Sequence, residues 1–451
     1  MTRFVNADRR TSYLLPPSVE EWLPDGHLAR FIVEVVEGLE LSALVKAYGG
    51  RGSEAHHPSV LLGLLVYGYA TGTFSSRKIE RATFDSVAFR YIAANTHPDH
   101  DTIAAFRRRF LAELEGLFVQ VLLLAREMKL LKLGNIALDG VKIKANASRH
   151  KALSFKHLNK IEAQLLREVQ ALLAAAEAAD STPLPDGLDV PAEIARREER
   201  LKQMAEAKAK IEKRAKARHQ AEQQTYAEKA ARREALRQAG KKPRGKEPKP
   251  PSEGPRDGDQ INLTDEQSRI MPAPGGRFEQ AYNAQAVVDT DSLLIVTTSV
   301  TQDTNDKRQI EPALNRIAAL PKALGRVDTL LADTGYFSQA NVRASAAQGI
   351  TPLIPPSRDS HHLPLWERFA PDAPEPGGGD PLSRMLWRLK TSAGRAAYAK
   401  RKCTVEPVFG IVKNVLGFRQ FLLRGLEKVT GEWQLVALAW NLKRMHRLQT
   451  A

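Results

Sequence analysis

Leu133-Gly-Asn-Ile136-Ala-Leu-Asp139-Gly-Val-Lys-Ile-Lys-Ala-Asn146 is the stretch on which the reading of the fold turns. Its apolar run Ile136–Leu138 and the apolar/polar alternation after Gly140 have the two-residue period of a β-strand. Residues 15–130, before it, repeat apolar positions at helical spacing instead, most clearly in His27–Ala47, Ser59–Thr71 and Asp101–Leu131. A long charged segment follows it, and then strand patterns return. Tyr282–Val288 and Leu293–Val300 are joined through Asp289-Thr-Asp-Ser292, whose residues suit a hairpin turn. Next come a helix from about Asp306 to Leu320, an apolar strand Val327–Ala332 stopping at Asp333-Thr-Gly335, a helix Ser338–Gln348 and a short strand Ile350–Ile354. The Pro/Gly-rich residues 355–385 read as a mobile loop, and Val408–Leu416 and Glu432–Leu448 as helices. The order predicts an α/β core interrupted after its first strand.

The chain has 451 residues, enough for about three domains. Its hydrophobic share of 43 % and charged share of 26 % exclude global disorder. A single cysteine excludes an internal disulfide framework and a multi-thiolate zinc site, and fits a reducing compartment. The longest apolar stretch, around Val60–Ala70, is too short to span a bilayer, and the first residues hold no hydrophobic signal region. A cytoplasmic protein with no membrane association is the expectation. The net charge of +15 points to a polyanionic partner. Residues 191–250 hold 19 Lys/Arg against 9 Asp/Glu, and so most of that surplus. Glu193 to Gly240 is rich in strong helix formers, and Lys241-Lys-Pro-Arg-Gly-Lys246 follows it. This reads as a long exposed helix or helical hairpin closing in a disordered basic linker to about Asp259.

Asp139 lies inside one apolar strand and Asp333 ends another. A carboxylate is costly to bury there unless it is paired or metal-bound. Two acids on neighbouring strands suit a hard divalent cation such as Mg²⁺. A third would let them hold two ions about 3.5–4 Å apart, the arrangement used for in-line attack on phosphodiesters. Each Asp taken alone also fits a plain cap at a strand end or turn. The candidate third acid is Glu406, in Tyr398-Ala-Lys-Arg401-Lys-Cys403-Thr-Val-Glu406-Pro-Val-Phe-Gly-Ile-Val-Lys413. Val405, Val408, Phe409 and Val412 recur at helical spacing, so one face is buried beside Glu406. Glu406 and Lys413 are seven apart and share a face over two turns. A plain amphipathic helix is the alternative. Two rivals lie downstream: Glu427, in a turn after Arg424-Gly425, and Glu432, which reads as a first-turn residue of the final helix.

These pieces together resemble the bacterial insertion-sequence DDE transposases. The matching stretches are Ala137–Asn146, Ala281-Tyr-Asn-Ala-Gln-Ala-Val-Val-Asp289, Leu331-Ala-Asp333-Thr-Gly-Tyr336 and Tyr398–Lys413, the last similar to the family's Tyr-Arg-Glu-Lys signature. Six residues separate Glu406 from Lys413, as in the family, but four separate Arg401 from Glu406 where the commoner pattern has three. The resemblance extends to the N-terminal helices through His57-Pro58, Tyr67-Gly-Tyr69, Ser75–Glu80 and Pro98–Ile103. It implies an α/β, RNase H-like mixed-sheet core interrupted by a long helical insertion, behind an all-α N-terminal DNA-binding domain. The expected divisions are residues 1–130 (DNA-binding), 131–154 (first part of the core), 155–258 (insertion) and 259–451 (rest of the core and C-terminal helices). The implied reaction is metal-dependent cleavage at the element's ends and joining of the freed 3′-OH to target DNA. Asp139, Asp333 and Glu406 would hold two Mg²⁺ ions, with Mn²⁺ an acceptable substitute. Lys413, Arg401 and Tyr398 would position the phosphate. Double-stranded DNA, both terminal inverted repeats and target, is the implied partner, and holding two ends together calls for a homodimer.

Residues 75–115 read as three short helices resembling a helix-turn-helix, with Ser76 and Asp85 as caps and Arg107, Arg108 and Arg109 on the third helix as DNA contacts. A structural cap with a basic rim is the alternative. His97-Pro-Asp-His100-Asp101 reads as a helix start capped by Asp101 rather than a metal site. His56-His57 and His361-His362 lack partners at ligand spacing and read as surface histidines; Cys403 reads as a small buried hydrophobe. An inactive or domesticated relative that only binds DNA is the competing functional reading. A coiled-coil scaffold built on residues 155–250 is disfavoured by the lack of sustained heptads.

Overall fold

A computed structural model describes residues 18–48, 55–178, 185, 187–243, 245–273, 275–357, 366 and 371–450. The chain divides into two compact units, Met1–Ala145 with Met271–Ala451, and Asn146–Ile270.

The first unit opens with seven helices: α1 (Leu28–Gly38), α2 (Ser42–Lys46), α3 (Pro58–Thr71), α4 (Ser76–Asp85), α5 (Val87–Ile92), α6 (His100–Arg109) and α7 (Leu114–Glu127). α3 is the apolar Val60–Ala70 stretch, and it is buried on nearly every side. Among the described residues no helix is long and apolar enough to cross a membrane. His57 begins α3, its Nδ1 accepting the Ser59 amide, so this histidine is a cap. Three capping expectations shift by one or two residues. Asp99, not Asp101, caps α6 through the Thr102 amide at 2.7 Å, because only its backbone is extended there. Ser75 rather than Ser76 precedes α4, and Asp85 ends that helix instead of starting the next.

The sheet of this unit has six strands, β1 (Asn135–Lys144), β4 (Arg269–Ala273), β5 (Arg277–Asp289), β6 (Ile295–Thr301), β7 (Thr329–Ala332) and β8 (Thr351–Leu353). Their order is β4-β5-β1-β7-β8, with β6 also on β5. β1 runs antiparallel to β5 and parallel to β7; β6 is antiparallel to β5, and β8 parallel to β7. α10 (Ile310–Ala318) and α11 (Gln339–Ala347) link these strands. Three C-terminal helices follow: α12 (Pro381–Lys390), α13 (Ser392–Gly410) and α14 (Leu426–Gln449). α10 starts four residues later than expected, which leaves Asp306 in the preceding turn. α12 lies partly inside the stretch expected to be loop; His361-His362 fall outside the described residues. α14 packs on both α3 and β6, so the N-terminal helices and the sheet share one core. Tyr69 (α3), Phe418, Phe421 and Trp433 are fully buried within it.

The second unit holds β2 (Ala152–Ser154), α8 (Phe155–Glu177), α9 (Val190–Gln238) and β3 (Gln260–Asn262). β2 and β3 pair antiparallel and bring the ends of the unit together, so its boundaries fall outside the expected 155–258. α8 and α9 form a hairpin whose inner side is apolar: Leu158, Met204, Ala207 and Ile211 pack with Leu153 and Ile261. The outer ion pairs Lys208–Glu162 and Arg197–Glu168, at 3.0 and 2.9 Å, reinforce it. Residues 245–259 have no helix or strand, but Arg218–Asp259 at 2.6 Å and Arg256–Glu222 at 2.8 Å tie them along α9.

Candidate active site

β1 lies in the middle of the sheet, and the site is built along one of its edges. Leu138 pairs with Ala332, the last residue of β7. Asp139 and Asp333 each follow the last paired residue of two adjacent parallel strands, so the register sets them side by side. Because β7 stops there, the edge of β1 beyond Asp139 is left without a neighbouring strand. Further along, the chain after α13 closes it again: the Lys144 amide donates to the Arg419 carbonyl at 3.2 Å, and the Phe421 amide to the Lys144 carbonyl at 2.9 Å. A short gap results between the end of β7 and residues 419–421.

α13 packs over β1, β5 and β7 and carries the rest of the site. Val405, Val408, Phe409 and Val412 are all buried, as their spacing requires. Arg401, 10 % exposed, reaches Asp139 Oδ2 with Nη1 at 3.5 Å and Glu406 Oε1 with Nη2 at 3.3 Å. Its Nε is buried with no hydrogen-bond acceptor, and its guanidinium lies 6.0 Å from the Tyr398 ring centroid. One buried guanidinium thus joins the first and third sequence-expected acids. Glu406 is 53 % exposed.

Lys413 is set differently from the sequence expectation. Residues Ile411–Val415 form a π-helical turn, so Glu406 and Lys413 are not two regular α-turns apart. Lys413 Nζ instead donates to the Lys142 carbonyl at 3.4 Å, within the gap along β1. Burial, then the neighbouring Arg419, lowers its pKa below the ordinary lysine value.

Burial, then the nearby Asp333 carboxylate, pushes the Asp139 carboxyl up to about 6; the Gly140 amide and Arg401 act against the shift. Asp333 Oδ1 accepts the Gly335 amide at 2.8 Å. Among the described residues no three His, Cys, Asp or Glu side chains are gathered closely enough to ligate one ion. The donor chemistry nevertheless suits a hard cation: two adjacent carboxylates, and a third acid linked to Asp139 through the Arg401 guanidinium.

The opposite face of β1 carries polar residues that sequence reasoning did not single out. Asp306 accepts from Lys142 Nζ (3.2 Å), Asn283 Nδ2 (2.6 Å) and Gln285 Nε2 (2.7 Å). Gln285 Oε1 in turn accepts the Tyr336 hydroxyl. Tyr336 lies three residues past Asp333, so this network fixes the Asp333 turn to β5. Gly140 makes room for it, since a Cβ there would lie 2.1 Å from Gln285 Nε2. The signal was present in Asn283 and Gln285, two amides at strand spacing within an otherwise apolar run.

The expected N-terminal DNA contacts separate. Arg107 is buried, its Nη1 donating at 3.1 Å to both the Tyr69 hydroxyl and the Phe74 carbonyl, so it is unavailable to DNA. It lies on the inner side of α6, with Ile103 four residues before it. Arg109 donates to the Ala47 carbonyl and covers the Tyr48 ring; Arg108 is exposed. Cys403 is exposed, contrary to expectation, because the buried side of α13 runs through Thr404 and Val405. Glu427 lies in the first turn of α14, whereas Glu432 is fully buried one turn further in.

Residues 248–442 match the family of transposase DDE domains, and residues 17–109 match the family described as transposase domain (DUF772). The chain belongs to the insertion-sequence DDE transposases. The first match takes in Asp333, Arg401, Glu406 and Lys413, and Asp139 lies upstream of it. No curated protein and no solved structure matches the chain. Its family domains mark this transposase as a protein of DNA transposition.

Proposed function

We propose that this transposase cuts DNA at the ends of its insertion sequence and joins the freed 3′-OH to target DNA, with Asp139, Asp333 and Glu406 as the acidic residues of the reaction. The observation that carries the reading is that Asp139 and Asp333 each follow the last paired residue, Leu138 and Ala332, of two adjacent parallel strands, with Arg401 reaching from α13 to both Asp139 and Glu406. The strand order, an antiparallel hairpin and two parallel strands flanking β1, supports an RNase H-like core. Two Mg²⁺ ions, or Mn²⁺ in their place, would be held by the three carboxylates and would supply activation of the attacking oxygen and stabilisation of the leaving one. The protein's own part is positional. Asp139 and Asp333 are fixed by backbone register, and Tyr336 anchors the turn that bears Asp333. Arg401 holds Glu406 near Asp139, and its planar guanidinium would suit a phosphate oxygen of the DNA. Lys413 and Tyr398 line the approach on the same helical segment. Both ends must be held at once, so we infer a homodimer acting on double-stranded DNA.

The test is a cleavage reaction with the full chain and a labelled duplex carrying the inverted repeat that flanks the coding sequence. The expected result is nicking at the element boundary with Mg²⁺ or Mn²⁺ and none with chelator. Specific binding without cleavage under any divalent ion would favour the inactive, DNA-binding alternative.

A further inference from the structure

We propose that the outer face of α4, together with the ring pair Phe84–His97 at its end, is a duplex-DNA contact in which Phe84 acts as an apolar wedge at a base step. The inference rests on the DNA-cutting reading above and moves the N-terminal contact from α6, where the sequence suggested it, to α4. Arg77, Arg81 and Phe84 follow one another at intervals of four and three and so share one helix face, and all are exposed. Lys78 is exposed beside them. Phe84 is 56 % exposed and Val87, at the start of α5, is 46 % exposed. Large apolar groups left in water within a basic surround are the composition of an interaction face.

The ring pair is built rather than incidental. Phe84 and His97 stack with centroids 3.8 Å apart and planes at 13°. His97 Nδ1 lies 3.0 Å from the Thr83 hydroxyl, which locks the imidazole. The chain reaches that position through Ala94 and Asn95, at φ values of 47° and 59°, a conformation that costs free energy for non-glycine residues. Arg90 holds the turn by donating to Asn95 Oδ1 at 2.7 Å.

The carboxylates nearby are largely engaged. Asp85 pairs with Arg81 at 3.1 Å, Glu80 with His100 at 2.8 Å, and Asp99 caps α6; Asp101 remains exposed. A duplex offers what this face lacks: phosphates for Arg77, Lys78 and Arg81, and a stack of bases for a rigid ring pair. A neutral apolar partner would leave Arg77 and Lys78 unmatched, whereas a phosphate can share Arg81 with Asp85.

The experiment measures binding of the full chain to a short duplex bearing the flanking inverted repeat, against a random duplex, over a range of salt. Phe84→Ala should weaken binding to the repeat about ten-fold without changing the salt slope. Arg77→Ala/Arg81→Ala should reduce the slope by about 1.8 for two lost phosphate contacts. Both proteins should remain folded with a cooperative melt, because Phe84, Arg77 and Arg81 lie at the surface, outside the core. Parental affinity and slope in both variants would overturn the proposal while leaving the DNA-cutting reading intact. So would loss of a dimer with DNA binding unchanged, which would make the face a contact between copies. If the parent itself binds no duplex, the reading on which the proposal rests fails with it.

Discussion

Glu432 is fully buried on α14, its Oε1 taking the Tyr69 hydroxyl at 2.9 Å and its Oε2 the amides of Leu422 and Leu423 at 2.9 and 3.0 Å. A glutamine keeps the shape but turns an NH₂ group toward donors, so Glu432→Gln should destabilise the fold by about 2–4 kcal/mol in urea unfolding. Asp289 gives the pH-dependent case. It is buried, its Oδ2 accepts from the Ser292 amide and hydroxyl, and its Oδ1 has no partner. Burial raises its carboxyl pKa above the ordinary 3.8, so the folded state holds the proton more tightly than the unfolded one. Stability from this group is therefore full below 3.8 and lost as pH rises through the folded value. Asp289→Asn should melt higher than the parent at neutral pH, with the gap closing in acid; a gap independent of pH would contradict this. Asp139 and Asp333 were legible in the sequence because a carboxylate within an apolar run is conspicuous. Glu432 and Arg107 were not, since each sits among residues that look like a helix end or a basic cluster. Only the fold brings them to the two sides of Tyr69.

The helical hairpin of α8 and α9 was half legible. Its charge and helix-forming residues were plain, but Met204, Ala207 and Ile211 are sparse enough to pass unnoticed until α8 covers them. Beyond Ala215, α9 has no buried residue among those described. Amides after about residue 222 should therefore exchange with solvent faster than those around 204–215, as measured by hydrogen exchange. β1 and β5 pair through Lys144 and Ala281 without help from this unit. Replacing residues 147–268 by a short flexible linker should leave a soluble protein with a cooperative melt, whereas complete insolubility would mean that the sheet needs the hairpin. The π turn at Ile411–Val415 left no mark in the sequence. The valine spacing fits an α-helix, and the wider turn coincides with the place where the following chain bonds to the edge of β1.

At the scale of the whole molecule, the N-terminal helices and the sheet depend on one another. Leu61, Leu62, Leu64 and Leu65 of α3 are almost completely buried, each contributing about 1.5–3 kcal/mol, and α14 forms part of their cover. A fragment ending at residue 130 loses that cover and should show no cooperative melt in calorimetry. DNA binding is accordingly best measured on the full chain. The most direct measurement is cleavage of supercoiled donor DNA carrying both inverted repeats, with Mg²⁺ and then with chelator. Asp139→Asn, Asp333→Asn and Glu406→Gln should each bind the ends like the parent and cut nothing. Pairs of these changes should be no worse than one, since the residues act as a unit. Glu427→Gln, altered at an exposed first-turn position of α14, should cut normally. Full cleavage by Glu406→Gln together with none by Glu427→Gln would contradict the assignment of the third acid.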